Sequence, residues 1–276
     1  MNILRIAAFS DGALGGNPAG VLIDDKLPPP ATMQRIAADV GFFETAFAAP
    51  VGAAWRVRYF SPQTEVPFCG HATIALGAAL ALRDGNHVFN LHLNNASITV
   101  EGHRDGDVLS AALQSPPTRS APADASQVRA AMQLFGIVAD DLDPSIPPGA
   151  MHAGADHLVL ALRARSKLAA MHYDLGHGRD FMRAAGFVTV ALVHARDEQH
   201  FDARNAFACG GVLEDPATGA AAAAFAGYLR DLGWPHGGVI HIVQGEDMGM
   251  RSMIRADVPE RRGSSVRVSG SARIMA

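Results

Sequence analysis

Glu44, His71 and Asp215 are the side chains in this 276-residue chain whose surroundings suit proton chemistry. Glu44 lies in Gly41-Phe42-Phe43-Glu44-Thr45-Ala46-Phe47, a carboxylate among aromatic rings. Burial there would raise its pKa, because the charged form loses solvation. A carboxyl tuned upward can act as general acid and base near neutral pH. The same residue also reads as a strand-edge glutamate turned to water. His71 follows Gly70 at the start of an alanine-rich apolar run. The positive end of a helix dipole favours neutral imidazole, which can accept or donate a proton; capping or packing would explain it equally. Asp215 precedes Pro216, with Thr218 and Gly219 next, the pattern of a helix start. N-capping accounts for it alone, and a catalytic part requires it to face the same cavity as His71. Cys69 reads either as a thiol whose pKa falls at a helix N-terminus or as a small core residue. Cys209, ahead of Gly210-Gly211, has no acid/base neighbour in sequence and reads as structural.

The elements that must position these groups announce themselves twice. Glu65-Val66-Pro67-Phe68-Cys69-Gly70-His71-Ala72-Thr73 and Glu214-Asp215-Pro216-Ala217-Thr218-Gly219 share the skeleton Glu-x-Pro-x-x-Gly. Each ends a polar, turn-like stretch and opens an alanine-rich run, so each reads as the mouth of a buried helix. Helix N-termini expose unpaired N–H groups and attract anions. Two such mouths suggest a duplicated scaffold gripping one acidic ligand. The helices, about His71 to Arg83 and Thr218 to Leu232, end alike in Leu82-Arg83-Asp84 and Leu229-Arg230-Asp231. An apolar helix must be wrapped on all sides, and a curved sheet around each is the simplest wrap.

Around them, alternation and turn residues predict strands at 2–8, 19–24, 44–48, 55–60, 87–93, 96–102 and 107–113. Later strands fall at 157–162, 187–194, 200–207, 238–243, 250–257 and 265–275, and helices at 31–40, 125–135 and 174–185. Ser115 to Ala123, rich in Pro, Ser and Ala, reads as a linker, and Pro144 to Gly149 as a loop. The glycine-punctuated turns Gly15 to Gly20 and Gln244 to Ser252 could present N–H nests to a ligand or be plain turns.

Composition excludes several classes. Hydrophobic residues make up 49% of the chain, ample for a core. Net charge is −4 without a long basic stripe, so nucleic acid is not an expected partner. The Arg-rich end (Arg251, Arg255, Arg261, Arg262, Arg267, Arg273) is diluted by Asp257 and Glu260 and reads as solvated strand and turn charge. The twelve histidines are scattered, with no His-Glu-x-x-His or Cys-x-x-Cys spacing, so no metal site is expected. Two cysteines make no disulfide framework, and a reducing cytoplasm is the simplest setting. Met1-Asn2-Ile3-Leu4-Arg5 lacks the basic-then-apolar order of a signal peptide. No apolar run reaches the ~20 residues of a membrane span. Neither glycine loop fits a Rossmann or P-loop pattern, so nucleotide binding is unsupported.

An ordered set of segments resembles the PhzF-like (phenazine biosynthesis) family of the diaminopimelate-epimerase fold. The matching pieces are Gly16-Asn17-Pro18-Ala19-Gly20-Val21, Glu44-Thr45-Ala46-Phe47, Tyr59-Phe60-Ser61-Pro62, Pro67 to Thr73, Glu214 to Gly219 and Gln244 to Gly249. The resemblance implies an α+β fold of two similar lobes, each a β-barrel-like sheet around a central helix, with the active site in the cleft between them. One lobe would take residues 1–118 and a C-terminal strand of about 265–276; the other would take 119–264. The catalytic glutamate would be Glu44, assisted by His71 and Asp215. Gly70, Ala72, Thr218, Gly219, Ala220 and Asn17 would bind a small carboxylated substrate. The protein would be a cofactor-independent isomerase and a homodimer, moving a proton from one carbon of the substrate to another position.

Departures from the pattern qualify this. Related epimerases place a cysteine at each helix mouth; Cys69 matches the first, and Pro216 stands at the second, against two-thiol racemisation. Members acting on the phenazine precursor tend to carry Ser before the glutamate and after Ala-Thr-Gly, where this chain has Phe43 and Ala220. A pocket that loses two hydroxyl contacts changes its substrate preference. An amino-acid epimerase using Cys69, or a non-catalytic ligand- or protein-binding member, is the alternative.

Overall fold

The computed structural model describes residues 2–276. It is a mixed α+β protein of two similar lobes, each a β-sheet wrapped around a central helix. The chain divides into one compact unit running up to Gln114 together with Ser269–Ala276, and a second spanning Ser115–Val268.

The first unit contains β1 (Ile3–Ala8), β2 (Asn17–Ile23), α1 (Pro30–Val40), β3 (Glu44–Val51), β4 (Ala54–Phe60), β5 (Glu65–Val66), α2 (Gly70–Asp84), β6 (His87–His92), β7 (Ser97–Asp105) and β8 (Val108–Gln114). The second holds β9 (Arg119–Pro122), α3 (Ala125–Phe135), β10 (Gly149–His152), β11 (Asp156–Ala161), α4 (Arg165–Ala169) and α5 (Leu175–Ala185). It continues with β12 (Thr189–Ala195), β13 (His200–Ala206), β14 (Glu214–Asp215), α6 (Gly219–Leu232), β15 (Val239–Gln244) and β16 (Ser252–Asp257). The last strand, β17 (Arg267–Ile274), returns to the first unit.

In the first unit the order β1-β2-β3-β4-β6-β7-β8 is closed by β17, which pairs with both β8 and β1, making an eight-stranded barrel. Two pairs in it are parallel, β2 with β3 and β4 with β6. A parallel pair needs a crossover; α1 supplies the first and α2 the second. α2 is apolar on every side and buried from His71 to Ala81, so it runs through the barrel rather than over it. Glycine sets how closely it is wrapped: a Cβ on Gly102 would stand 2.2 Å from the carbonyl oxygen of Gly77. Outside, Met33 and Ala37 of α1 pack on Leu22, Phe47 and Phe60.

The second unit repeats the plan. Strands β9-β10-β11-β12-β13-β15-β16 pair in that order, with β11–β12 and β13–β15 parallel. α6 is its buried helix, and Leu158, Leu160 and Leu192 pack outward on Phe135, Leu168 and Met182. Two expectations need correction. Arg119–Pro122, read as linker, is a strand paired with β10, and Gly149, read as the end of a loop, opens β10. Pro122 sits at the strand's end, where a missing N–H costs the ladder least.

His157 on β11 is buried to 1% exposure; Nδ1 meets Thr189 Oγ1 at 2.7 Å and Nε2 has no hydrogen-bond partner. Burial pushes its pKa down to about 4, with Asp156 opposing. The folded value lies below the unfolded one, about 6.5. The stability held by neutral His157 is therefore complete above pH 6.5 and is lost as pH falls toward 4. Urea unfolding followed by Trp234 fluorescence in a Trp55→Phe background is expected to lose roughly 2–3 kcal/mol more between pH 7 and pH 4.5 than the same measurement on His157→Gln. Equal losses in both would put the acid sensitivity elsewhere.

Candidate active site

Glu44 is the first residue of β3, and its side chain points inward from the barrel wall. Alternation shows the face: Thr45 and Phe47 are buried against the outer layer, whereas Glu44 and Ala46 line the interior. The carboxylate, 18% exposed, reaches toward the N-terminus of α2, where its Oε2 lies 3.5 Å from His71 Nε2. His71 itself is 6% exposed, and its other ring nitrogen, Nδ1, meets Cys69 Sγ at 3.4 Å. A separation of 3.5 Å is long for a hydrogen bond, and Nε2 has no closer partner. Catalytic contacts of this kind tighten when a ligand arrives. The reading of Glu44 as a strand-edge carboxylate turned to water is therefore excluded.

Ligand atoms of Glu44, Cys69 and His71 all lie within 4.8 Å of one another. Sulfur, nitrogen and oxygen form a donor set that zinc accepts, so these are the residues that could hold a metal. The thiol and the carboxylate lie against different nitrogens of the His71 ring.

The mouth of α2 is open. Its N-cap, Cys69, makes no side-chain capping bond, and a Cβ on Gly70 would meet nothing within 4 Å. Behind it, Tyr59 Oη bonds Thr73 Oγ1 at 2.7 Å, and Thr73 donates to the Cys69 carbonyl, also at 2.7 Å. This fixes the first turn while leaving its N–H groups toward the opening. Ala72 is fully buried, so only its N–H is on offer. Asn17, buried at the start of β2, shares a strand face with Ala19, the register partner of Glu44.

The mouth of α6 is built differently. Asp215 and Gln244 are buried, Thr218 is half-buried, and the three are bonded to one another and to Asn205. Gly219 is buried and Ala220 half-buried at the first turn of α6. Register shows what replaces Glu44 here. Phe60 and Ala206 pair with Glu65 and Glu214, and across the next ladder with Thr45 and Val190. Thr189 therefore occupies the place of Glu44, with His157 as its register partner. Between the two units, the residue matching Cys69 is Thr218, the N-cap of α6. A hydroxyl stands at the second mouth.

The glutamates of the shared skeleton do not face a ligand. Glu65 accepts from Arg58 Nε at 2.7 Å and Glu214 from Arg204 Nε at 3.0 Å, each fastening the loop to the strand before it. Arg58 holds the Glu65 carboxyl below its usual range. Sequence reasoning passed over Arg58, Arg204, Asn205 and took Gln244 for a turn residue. The repeated signal was an arginine two residues before the end of each strand.

The family model for phenazine biosynthesis-like protein matches residues 6–276. This chain belongs to that family. A trans-2,3-dihydro-3-hydroxyanthranilate isomerase of Pseudomonas fluorescens is 30% identical over 276 residues, covering 98% of this chain and 95% of its own length. Among solved structures, a phenazine biosynthesis protein of the PhzF family from Bacillus anthracis covers 100% of this chain and 98% of its own, with TM-score 0.84 at 20% identity. A probable proline racemase from Agrobacterium radiobacter shares the fold at TM-score 0.67 and 12% identity, covering 99% and 91%. With relatives named as isomerases along its whole length, the protein is an isomerase. Among the described residues, no helix is long and apolar enough to cross a membrane.

Proposed function

We propose that the protein catalyses a proton shift on a small carboxylated substrate without a cofactor, with Glu44 as general acid and base. The observation that carries this is the Glu44 carboxylate 3.5 Å from an otherwise unpartnered His71 Nε2 beside the open mouth of α2. Glu44 takes a proton from carbon and returns it at another position; His71 orients the carboxyl and shares the proton. Helix N–H groups at Gly70 bind the substrate carboxylate, and Asp215 is assigned a part in the reaction. Thr189 at the position matching Glu44 supports a single acid/base carboxylate rather than two opposed ones. Phe43 and Ala220 favour a substrate other than the one named for the Pseudomonas relative. The protein acts in the cytoplasm as a homodimer, which fractionation and sedimentation check.

The test is solvent deuterium wash-in. Mass spectrometry identifies the acid that co-purifies, and the protein is incubated with it in heavy water; trans-2,3-dihydro-3-hydroxyanthranilate serves as a second probe. Deuterium entering carbon is expected. A tightly bound acid that takes up none would identify a binding protein instead. An epimerase using Cys69 is separated by Cys69→Ser, which is expected to keep wash-in within about threefold, against a loss of about 10²-fold or more if the thiol moves the proton.

A further inference from the structure

The bonding around Thr218 is more than a helix cap requires. An N-cap hydroxyl accepts from an N–H of the first turn, yet Thr218 makes no such bond to α6. Its Oγ1 instead meets Asn205 Nδ2 at 2.6 Å, Gln244 Nε2 at 3.1 Å and Asp215 Oδ2 at 2.5 Å. The orientation of Gln244 follows from backbone partners: Nε2 donates to the carbonyl of Asp215 at 2.6 Å, and Oε1 accepts from the N–H of Thr218 at 3.3 Å. Amide nitrogens can only donate, so they occupy the lone pairs of Oγ1, and its one proton is directed to Asp215. A hydrogen bond to a carboxylate is roughly twice as strong as one between neutral groups.

These residues lie on β13, β14, β15 and the N-cap of α6, so the whole end of the sheet converges on one hydroxyl. The first unit has no counterpart: Cys69 replaces Thr218, and the register partner of Tyr59 is Val66 where that of Asn205 is Asp215. The device exists only where the aspartate does. We propose that Thr218, set by Asn205 and Gln244, is a positioning residue that fixes the Asp215 carboxylate for the proton shift. The hydroxyl of Thr218 is then used inside the protein and not on the ligand. The inference rests on the part given to Asp215 in the proposed reaction.

The test reads Asp215 directly. Its side-chain carboxyl is followed by carbon-13 NMR of the full protein, assigned by the resonance missing in Asp215→Asn. In Thr218→Val, which keeps the shape and removes the hydroxyl, the titration midpoint is expected to rise by about one pH unit; in Thr218→Ser it stays within about 0.3. Asn205→Ala, which leaves Thr218 in place, is expected to move it the same way by about half as much, and covers the case of a Thr218→Val that folds poorly. In wash-in assays with the co-purified acid, Thr218→Val is expected to lower kcat about tenfold, with KM within about twofold. An unmoved midpoint in both Thr218→Val and Asn205→Ala, a Ser variant that behaves as Val does, or a change in KM alone would overturn the proposal. Full wash-in by Asp215→Asn would instead remove Asp215 from the reaction, whatever the NMR midpoints show.

Discussion

Replacing Glu44 by Gln is expected to slow solvent deuterium wash-in by about 10³-fold while changing ligand affinity by less than about threefold. The amide matches the carboxylate in size, so the fit of the barrel mouth and the contact with His71 are kept in outline. What is lost is the ability to take a proton from carbon. General acid–base catalysis by one positioned group contributes about 10²–10⁴-fold, and no second carboxylate stands at the matching position to replace it: Thr189 does. Calorimetric titration with the co-purified acid gives the affinity, and mass spectrometry of the acid in heavy water gives the rate. Wash-in at the wild-type rate would remove Glu44 from the chemistry. A loss of binding equal to the loss of rate would make it a ligand-holding group instead.

Glu214→Ala is expected to cost about 3–5 kcal/mol of stability, whereas Glu65→Ala, its counterpart in the other unit, costs about 1 kcal/mol or less. The chemistry of the two ion pairs is the same; their surroundings differ. Side-chain exposure is 10% and 9% for Arg204 and Glu214, against 20% and 27% for Arg58 and Glu65. Without Glu214, the Arg204 guanidinium stays buried with only the carbonyls of Leu168, Ala169 and Met171 around it. An uncompensated buried charge is what makes breaking such a pair expensive. Arg58 without Glu65 turns to water. Replacing both members by apolar residues, Arg204→Met with Glu214→Leu, is expected to recover most of the loss, because no charge is left behind. Urea unfolding, read from Trp234 for one unit and Trp55 for the other, makes the comparison. Equal costs for the two single variants would contradict it.

Much of this protein was legible before folding is considered. The apolar runs behind Gly70 and Gly219 carry no polar face, so each had to be the centre of something, and each is. The shared Glu-x-Pro-x-x-Gly skeleton marked a duplicated loop, and the paired arms of the two units repeat down to which strands run parallel. Glu44 among aromatic residues and His71 at a helix start were readable as acid/base candidates, because residue type and local context limit what such groups can do.

Other features lay beyond local reading. In each skeleton the glutamate looked like part of an anion-binding mouth; folding turns it back onto an arginine of the preceding strand, a contact that depends on a register between β4 and β5 or β13 and β14. Thr218 answers Cys69 because the N-cap is defined by where the backbone enters the helix. Asn205, Thr218 and Gln244 share no neighbourhood in sequence, being 13 and 26 residues apart.

The sequence by itself determined the two buried helices, the wrapping each must have, and the residue types able to move a proton. These follow from periodicity, apolar content and side-chain chemistry, which are local. Only the tertiary structure decided that His71 stands between Cys69 and Glu44, that one glutamate pair is buried and its twin half-open, and that the Thr218 hydroxyl joins Asn205, Gln244 and Asp215. Those outcomes depend on barrel closure and strand register, which bring together groups separated by tens of residues and set how much water each one keeps.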